Sequence, residues 1–474
     1  MNINKTNYKL NLISLLVLGS SIFCGCKKFT DIDPPTGQLV TETTFKTDAT
    51  LKSALAGMYS SLAITNAPDL QLGLSLLPGL SADEMSYYTT NVYYDPFFAN
   101  ALNSQDVSSY SLWRSLYANI YQANAIISGV AGSTGGLSNA MKVQATGEAK
   151  FIRAFCYFYL VNLWGDVPLA MGTDAKINND LPRSPKSLVY TQIISDLTDA
   201  KNSLAADFSA ASGERIRPNK YAAAALLSRC YLYTANWADA RANADLIIAL
   251  NTQYSLLSTA NLSSIFTKNN TEAIWQVTGS PAVYSGYTYE GYYYSLGVAT
   301  IPNYLLTFDL INAFETGDAR LRNWVGVTSS TLSGVTTTYY YPFKYRQKVT
   351  NATTSGEYCT YLRLAEQYLI RAEALAQLDD LNGAVADLNI IRRRAGLSNT
   401  TAVTKTAVLR AIAQERRVEL FSEYGARWND LKRTGTADDV LSRVKPGWKA
   451  TAVLYPIPLT DIRNSTNLTQ NAGY

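Results

Sequence analysis

The sequence predicts a mostly α-helical fold of stacked antiparallel helix pairs, with irregular loops and a small β-containing insert. Three observations predict it. Apolar residues recur at helical spacing over most of the chain, and an alanine-rich helix–turn–helix grammar occurs twice. One stretch departs in composition: eleven of the 33 tyrosines lie between Tyr284 and Tyr345.

Residues 1–25 read as an export signal. Lys5 and Lys9 are the only charges before the apolar run Leu10–Phe23, which is too short to span a bilayer comfortably. Gly25 directly before Cys26 has the form of a lipoprotein cleavage site, so Cys26 is the predicted lipid anchor; Cys24 is the rival, disfavoured by bulky Phe23 before it. Residues 26–50 form an extended tether, because Pro34 and Pro35 forbid helix. No later segment offers the ~18 uncharged apolar residues of a membrane span.

Residues 51–250 form an amino-terminal helical region. Leu51, Leu55, Met58, Tyr59 and Leu62 recur at helix spacing, and Ala67-Pro68 closes that run. Gln71–Gln105 shows little periodicity and reads as a looped segment carrying Tyr87-Tyr88, Tyr93-Tyr94 and Phe97-Phe98. Helices follow over Leu112–Gly129, Met141–Trp164 and Ser187–Ala206, the second stopped by Gly165-Asp-Val-Pro168. Asn219–Asn236 and Ala238–Asn251 make the first helix pair. Residues 251–345 are a variable insert, Tyr-rich over Ser280–Tyr345, with short β-type runs such as Val335–Tyr341. Residues 346–474 are a carboxyl-terminal helical region: Tyr361–Leu378 and Ala384–Ala395 repeat the pair grammar around Asp379–Gly383, and a helix over Thr404–Leu431 precedes an irregular tail. Such pairs resemble tetratricopeptide units, whose small residues allow close approach and whose apolar faces are buried only by stacking.

Composition excludes several kinds of chemistry. The 474 residues contain no histidine, which removes the usual general base, the commonest metal ligand and every Ser-His or Cys-His pair. The formal charge of +4 falls to +2 without the signal's two lysines, a balance unsuited to nucleic acid. Cys156, Cys230 and Cys359 are an odd number on separate segments and are expected as buried thiols. A glycosidase needs only two carboxylates and stays formally open, yet most conspicuous acids lie in helices beside arginines. Glu148 with Arg153, Glu366 with Arg371, and the series Glu415, Glu419 and Glu423 read as ion pairs locking helices together. No catalytic residue, metal site or cofactor is assigned.

Doubled tyrosines in polar loops diverge from one another, so some must reach solvent, where a ring offers a flat apolar face and a polar tip suited to sugars. Peptide contact would use the same residues, and tyrosine with threonine is also simply good strand material.

Several motifs resemble one known family. Trp113-x-x-x-Tyr117-x-x-Ile120-x-x-Ala123-Asn124, Gly147–Ala154 and Gly165-Asp-Val-Pro-Leu169 are similar to the amino-terminal half of SusD/RagB lipoproteins. Tyr361–Leu375, Asn389 to Gly396, Arg427-Trp428-x-Asp430 and Tyr455-Pro-Ile-Pro458 are similar to the carboxyl-terminal half. The resemblance implies a surface-exposed outer-membrane lipoprotein that captures a glycan, or in the RagB branch a peptide. It would deliver this ligand to a SusC-like TonB-dependent transporter, with no enzymatic step. A protein-binding helical scaffold is the alternative from another class. By region rather than by matched residue, the resemblance places the ligand surface in Ser81–Gln105 and Ser280–Tyr345. The candidate ligand-binding residues there are Asp83, Tyr87, Tyr88, Tyr93, Tyr292, Tyr293 and Trp324.

Overall fold

A computed structural model describes residues 41–63, 70–279, 287–296, 301–347, 356–445 and 447–474. The signal, Cys26 and the tether up to residue 40 lie outside the described residues. In chain order the main helices are α1 (Asp48–Ala63), α2 (Leu70–Ser81), α3 (Val107–Ala131), α4 (Asn139–Trp164), α5 (Lys186–Ser203), α6 (Lys220–Tyr233), α7 (Trp237–Ile248), α8 (Leu364–Gln377), α9 (Leu381–Arg394), α10 (Lys405–Glu419) and α11 (Ala426–Arg433). The mostly α-helical fold read from the sequence is the one observed.

Both alanine-rich segments form helical hairpins, and the two turns use the same device. Ala235 adopts a left-handed φ of 56°, and the Asn236 side chain then caps the Asp239 N–H of α7. In the second pair Asp379 has φ 66° and Asp380 caps the Gly383 N–H of α9. A single left-handed residue reverses the chain, and an Asn or Asp immediately after it satisfies the new helix's orphan donors. Ala222, Ala223, Ala224 and Ala225 are buried, as are Ala365, Ala372 and Ala376, which lets partner helices approach closely. From α3 to α9 each helix packs against the next in sequence, α7 on α8 included, so the hairpins form one continuous stack.

Two helical expectations are corrected. Gln71–Gln105 is not all loop: α2 runs through Pro78, and all twelve of its residues are buried, so it has no polar face to give it a period. The expected helix Thr404–Leu431 is two helices, parted by a corner where Ser422, Tyr424 and Gly425 have φ values of 57°, 44° and 73°. The tail is also partly helical, at Ala437–Val444 and Leu459–Asn464.

Short antiparallel sheets join remote segments. β1 (Met85–Tyr87) pairs with β3 (Tyr304–Leu306), and β2 (Ala273–Val277) pairs with β6 (Cys359–Arg363), every residue of β2 and β6 being buried. β4 (Val325–Leu332) and β5 (Val335–Pro342) form a hairpin closed by Ser333-Gly334, both at positive φ as a two-residue hairpin turn requires.

The predicted ion pairs exist in kind, with changed partners. Glu148 takes Arg217 at 2.6 Å rather than Arg153, which pairs with Asp196. Glu366 takes Arg229 rather than Arg371, which reaches Asp245 and Asp387. Glu415, Glu419 and Glu423 do anchor a buried network with Arg320, Arg363, Arg394 and Lys344. Cys156, Cys230 and Cys359 are buried thiols, and Cys359 Sγ donates to Gln71 Oε1 at 3.1 Å. Among the described residues no helix is long and apolar enough to cross a membrane.

Candidate functional site

The two segments singled out in sequence meet through the β1–β3 pairing, which sets Tyr87 opposite Tyr304 and Met85 opposite Leu306. Backbone bonds extend the seam at both ends: the Tyr88 N–H donates to the Asn303 carbonyl at 3.0 Å and the Thr307 N–H to the Glu84 carbonyl at 3.1 Å. The β4–β5 hairpin packs beside β3 and brings its tyrosines to this seam. Tyr88 meets Tyr339 edge to face, with centroids 5.6 Å apart and planes at 89°, and Phe308 meets Tyr340 at 5.9 Å. Tyr88 is 44% exposed, Tyr93 54% and Phe308 65%, while Tyr339 and Tyr340 are half-buried. Behind them the buried rings of Tyr94, Tyr304 and Tyr294 make a ladder, spaced 5.8 and 5.7 Å. Tyr339 and Tyr340 alternate along β5, so the Tyr88–Tyr339 and Phe308–Tyr340 pairs stand on opposite sides of that strand; the Tyr88 side offers flat apolar surface edged by phenol hydroxyls.

Tyr87 sits one residue inside the seam. It is half-buried against Phe98 at 5.5 Å, and burial together with its bond to the Asp95 carboxylate pushes its phenol upward. Tyr292 and Tyr293 belong to a stacked group on the one-turn helix Tyr289–Tyr294, with Tyr287 parallel to Tyr292 at 5.3 Å and Tyr289 parallel to Tyr293 at 6.3 Å. Both are half-buried, and Tyr293 lies close enough to Tyr304 to act on its titration. Tyr88 and Tyr93 are therefore the open members of the predicted set, and Tyr87, Tyr292 and Tyr293 are half-buried.

Two predicted residues belong elsewhere. Trp324 is 0% exposed, donates Nε1–H to the Leu262 carbonyl at 2.8 Å, and lies under the ion network with Lys344 4.8 Å from its ring. It has no face to offer a ligand. Asp83 is buried in a bidentate pair with Arg427 at 2.6 and 2.8 Å, and Arg417 adds a third bond at 2.7 Å. Burial pushes its carboxyl up, but the two guanidiniums outweigh this and hold it below the usual range. Its role is to brace β1 against α10 and α11, while its carbonyl accepts from Thr307 Oγ1 at 2.6 Å. Sequence reasoning left Phe308 out, since a single phenylalanine in the Tyr-rich insert carries no mark of exposure, and read Tyr339–Tyr341 equally well as plain strand.

Beneath the face lie two buried carboxyls. Glu84 accepts from the Ser422 N–H at 3.1 Å, and Glu290 accepts from Ser75 Oγ at 3.3 Å. Burial pushes each up to about 7, so neither is a firmly held negative charge near neutrality. The face is thus aromatic and hydroxylated, without a fixed charge aimed outward from the acids beneath it.

Comparison with known proteins places this geometry. A family described as starch-binding, associating with the outer membrane, matches residues 28–232, and the SusD family matches residues 230–474. SusD-like protein P25 of Formosa agariphila is 30% identical over 280 residues, which is 56% of this chain but 51% of that protein, so the chain spans about half of that relative. SusD-like protein P2 of the same organism is 27% identical across 98% of this chain and 99% of its own length. Among solved structures, a SusD superfamily protein from Bacteroides vulgatus superposes with a TM-score of 0.79 at 22% identity, covering 91% of this chain and all of that one. A laminarin-binding SusD-like protein superposes with a TM-score of 0.74 at 25% identity, covering 90% of this chain and all of that one. The helix-pair stack, the seam between its two loop regions and a family match over more than half its length lead to one conclusion: this chain belongs to the SusD family.

Proposed function

We propose that this protein captures an oligosaccharide or polysaccharide at the cell surface, on the aromatic face carried by Tyr88, Tyr93 and Tyr339, and passes it to a SusC-like TonB-dependent transporter. In this reading Cys26 carries the lipid that anchors it in the outer membrane, and no chemical step is catalysed. The observation that carries the reading is the seam itself: segments more than two hundred residues apart in sequence meet there, and the exposed Tyr88 ring stands against Tyr339. Rings held edge to face keep their orientation without a ligand, which reduces the ordering cost of binding. The laminarin-binding relative supports a glycan, and the family description supports association with the outer membrane.

The test is calorimetric titration of the purified chain, in detergent, with laminarin, starch and a casein peptide digest. We expect a glucan to bind, and Tyr88→Ala with Tyr339→Ala to weaken it about tenfold, the loss of one to two aromatic contacts, with the melting temperature kept. Binding of peptides alone, or a glucan affinity indifferent to both substitutions, would refute the assignment.

A further inference from the structure

A cleft of about 510 Å³ opens between α3, the segment Pro168–Leu181 and the carboxyl-terminal helix Leu459–Asn464. It shares no residue with the aromatic face. One wall is a stripe of α3 in which Trp113, Tyr117 and Tyr121 follow at intervals of four, hence on one side of the helix. Such a stripe is ordinarily core, and its first member obeys: Trp113 is buried and donates Nε1–H to Asp461 Oδ2 at 2.5 Å. Tyr117 packs on Trp113 at 4.8 Å and donates its hydroxyl to the Pro168 carbonyl at 2.8 Å. Tyr121 breaks the pattern, since it is 53% exposed in the mouth of the cleft.

The opposite wall holds a second anomaly. Ser465 is 8% exposed, lines the cleft, and its Oγ has no hydrogen-bond partner among the described residues. A buried hydroxyl without a partner is costly unless something in the cavity completes it. The charges around the space balance: Arg114 is exposed at the rim, and it acts on Asp461 across the cleft. A phosphate or other strong anion would meet Asp461 as well as Arg114, and a lipid chain would strand Ser465 and Asp461. A flat ring with hydroxyls around its edge fits both walls, and the volume lies within the range of small-ligand sites.

We infer that this cleft is a second carbohydrate site, taking a neutral pyranose or a short neutral oligosaccharide, with Tyr121 stacking on the ring and Arg114, Asp461 and Ser465 serving its hydroxyls. It rests on the reading of the protein as a glycan binder but on none of the residues of the aromatic face.

The experiment is saturation-transfer NMR on the full chain in detergent with glucose, galactose, mannose and xylose as probes. At least one should receive transfer in the wild-type protein. Tyr121→Ala and Arg114→Ala, both exposed residues, should weaken it about tenfold with an unchanged melting temperature. The double substitution Tyr88→Ala, Tyr339→Ala should leave intact the part of the transfer that depends on Tyr121 and Arg114. Two results overturn the cleft while sparing the glycan reading: transfer lost only in the Tyr88, Tyr339 variant, or no monosaccharide transfer while a glucan still binds the face. Failure of every sugar at both places would remove both.

Discussion

At the scale of single residues, Tyr88 and Trp324 show what a sequence does and does not disclose about a binding face. Both are aromatic residues near polar segments, yet one stands 44% exposed on a partner ring and the other is wholly enclosed. Identity alone does not encode exposure, whereas doubled tyrosines do constrain it, because neighbours in sequence point apart. Trp324 has a different duty. It covers the network around Lys344, Arg363 and Arg394, with each cation within about 6 Å of its ring, and bonds to Leu262. Trp324→Ala should therefore cost about 3–5 kcal/mol by urea denaturation, through cavity formation and a lost hydrogen bond. Glycan affinity of the folded remainder should stay the same; a stable variant with weakened binding would return Trp324 to the ligand site. The ion pairs have a similar lesson. Glu148 with Arg153 and Glu366 with Arg371 are five apart, which turns the second side chain about 140° from the first, so each acid finds an arginine on another helix. The series at intervals of four, Glu415, Glu419 and Glu423, stays together.

At the scale of elements, the helices with one apolar face were legible from spacing, and the pair turns from their Asn and Asp caps. The fully buried α2 was not, since burial on all sides erases the period and Pro78 reads as a break. The break between α10 and α11 was hidden because Ser422 and Tyr424, both left-handed, are not residues that announce such a corner; Gly425 alone is. The β4–β5 hairpin shows how an element serves the site. Gly326 lies opposite Tyr341, and a Cβ there would stand 2.1 Å from that ring's Cζ, so the glycine is the seat of the tyrosine. Tyr339 lies two residues away on the same strand face, against Tyr88. Gly326→Ala should cost about 1–3 kcal/mol through overpacking and should also weaken glycan binding. Gly334→Ala, at the hairpin tip with φ 78° and open space around it, should cost about 1 kcal/mol and leave affinity alone. Calorimetric melting and glucan titration of both variants check this; equal effects on affinity would mean that the tyrosines do not depend on the hairpin's packing.

At the scale of the whole molecule, the seam that assembles the aromatic face also buries two acids in its foundation, and this gives stability a pH dependence of definite sign. Burial raises Glu84 and Glu290 from the ordinary 4.5 to about 7. The folded protein therefore keeps protons that the unfolded chain releases between those values, and the stability they contribute is complete below 4.5 and lost as pH rises through about 7. Asp430 works in the other direction and in another window: burial pushes it up, but Arg416 and Arg433 prevail and hold it at about 2, so its contribution is present above 3.8 and lost only as pH falls toward 2. Between the two windows stability should be greatest, and from about pH 5 to about pH 7.5 the melting temperature of the wild-type protein should fall. Glu84→Gln with Glu290→Gln removes both titrations while keeping side-chain shape and an acceptor for Ser422 and Ser75. Its melting temperature should be nearly level over the same range, crossing above the wild type at the alkaline end. If the two melting profiles run parallel from acid to neutral, these acids are not the protons that folding retains, and the charge beneath the aromatic face must be assigned anew.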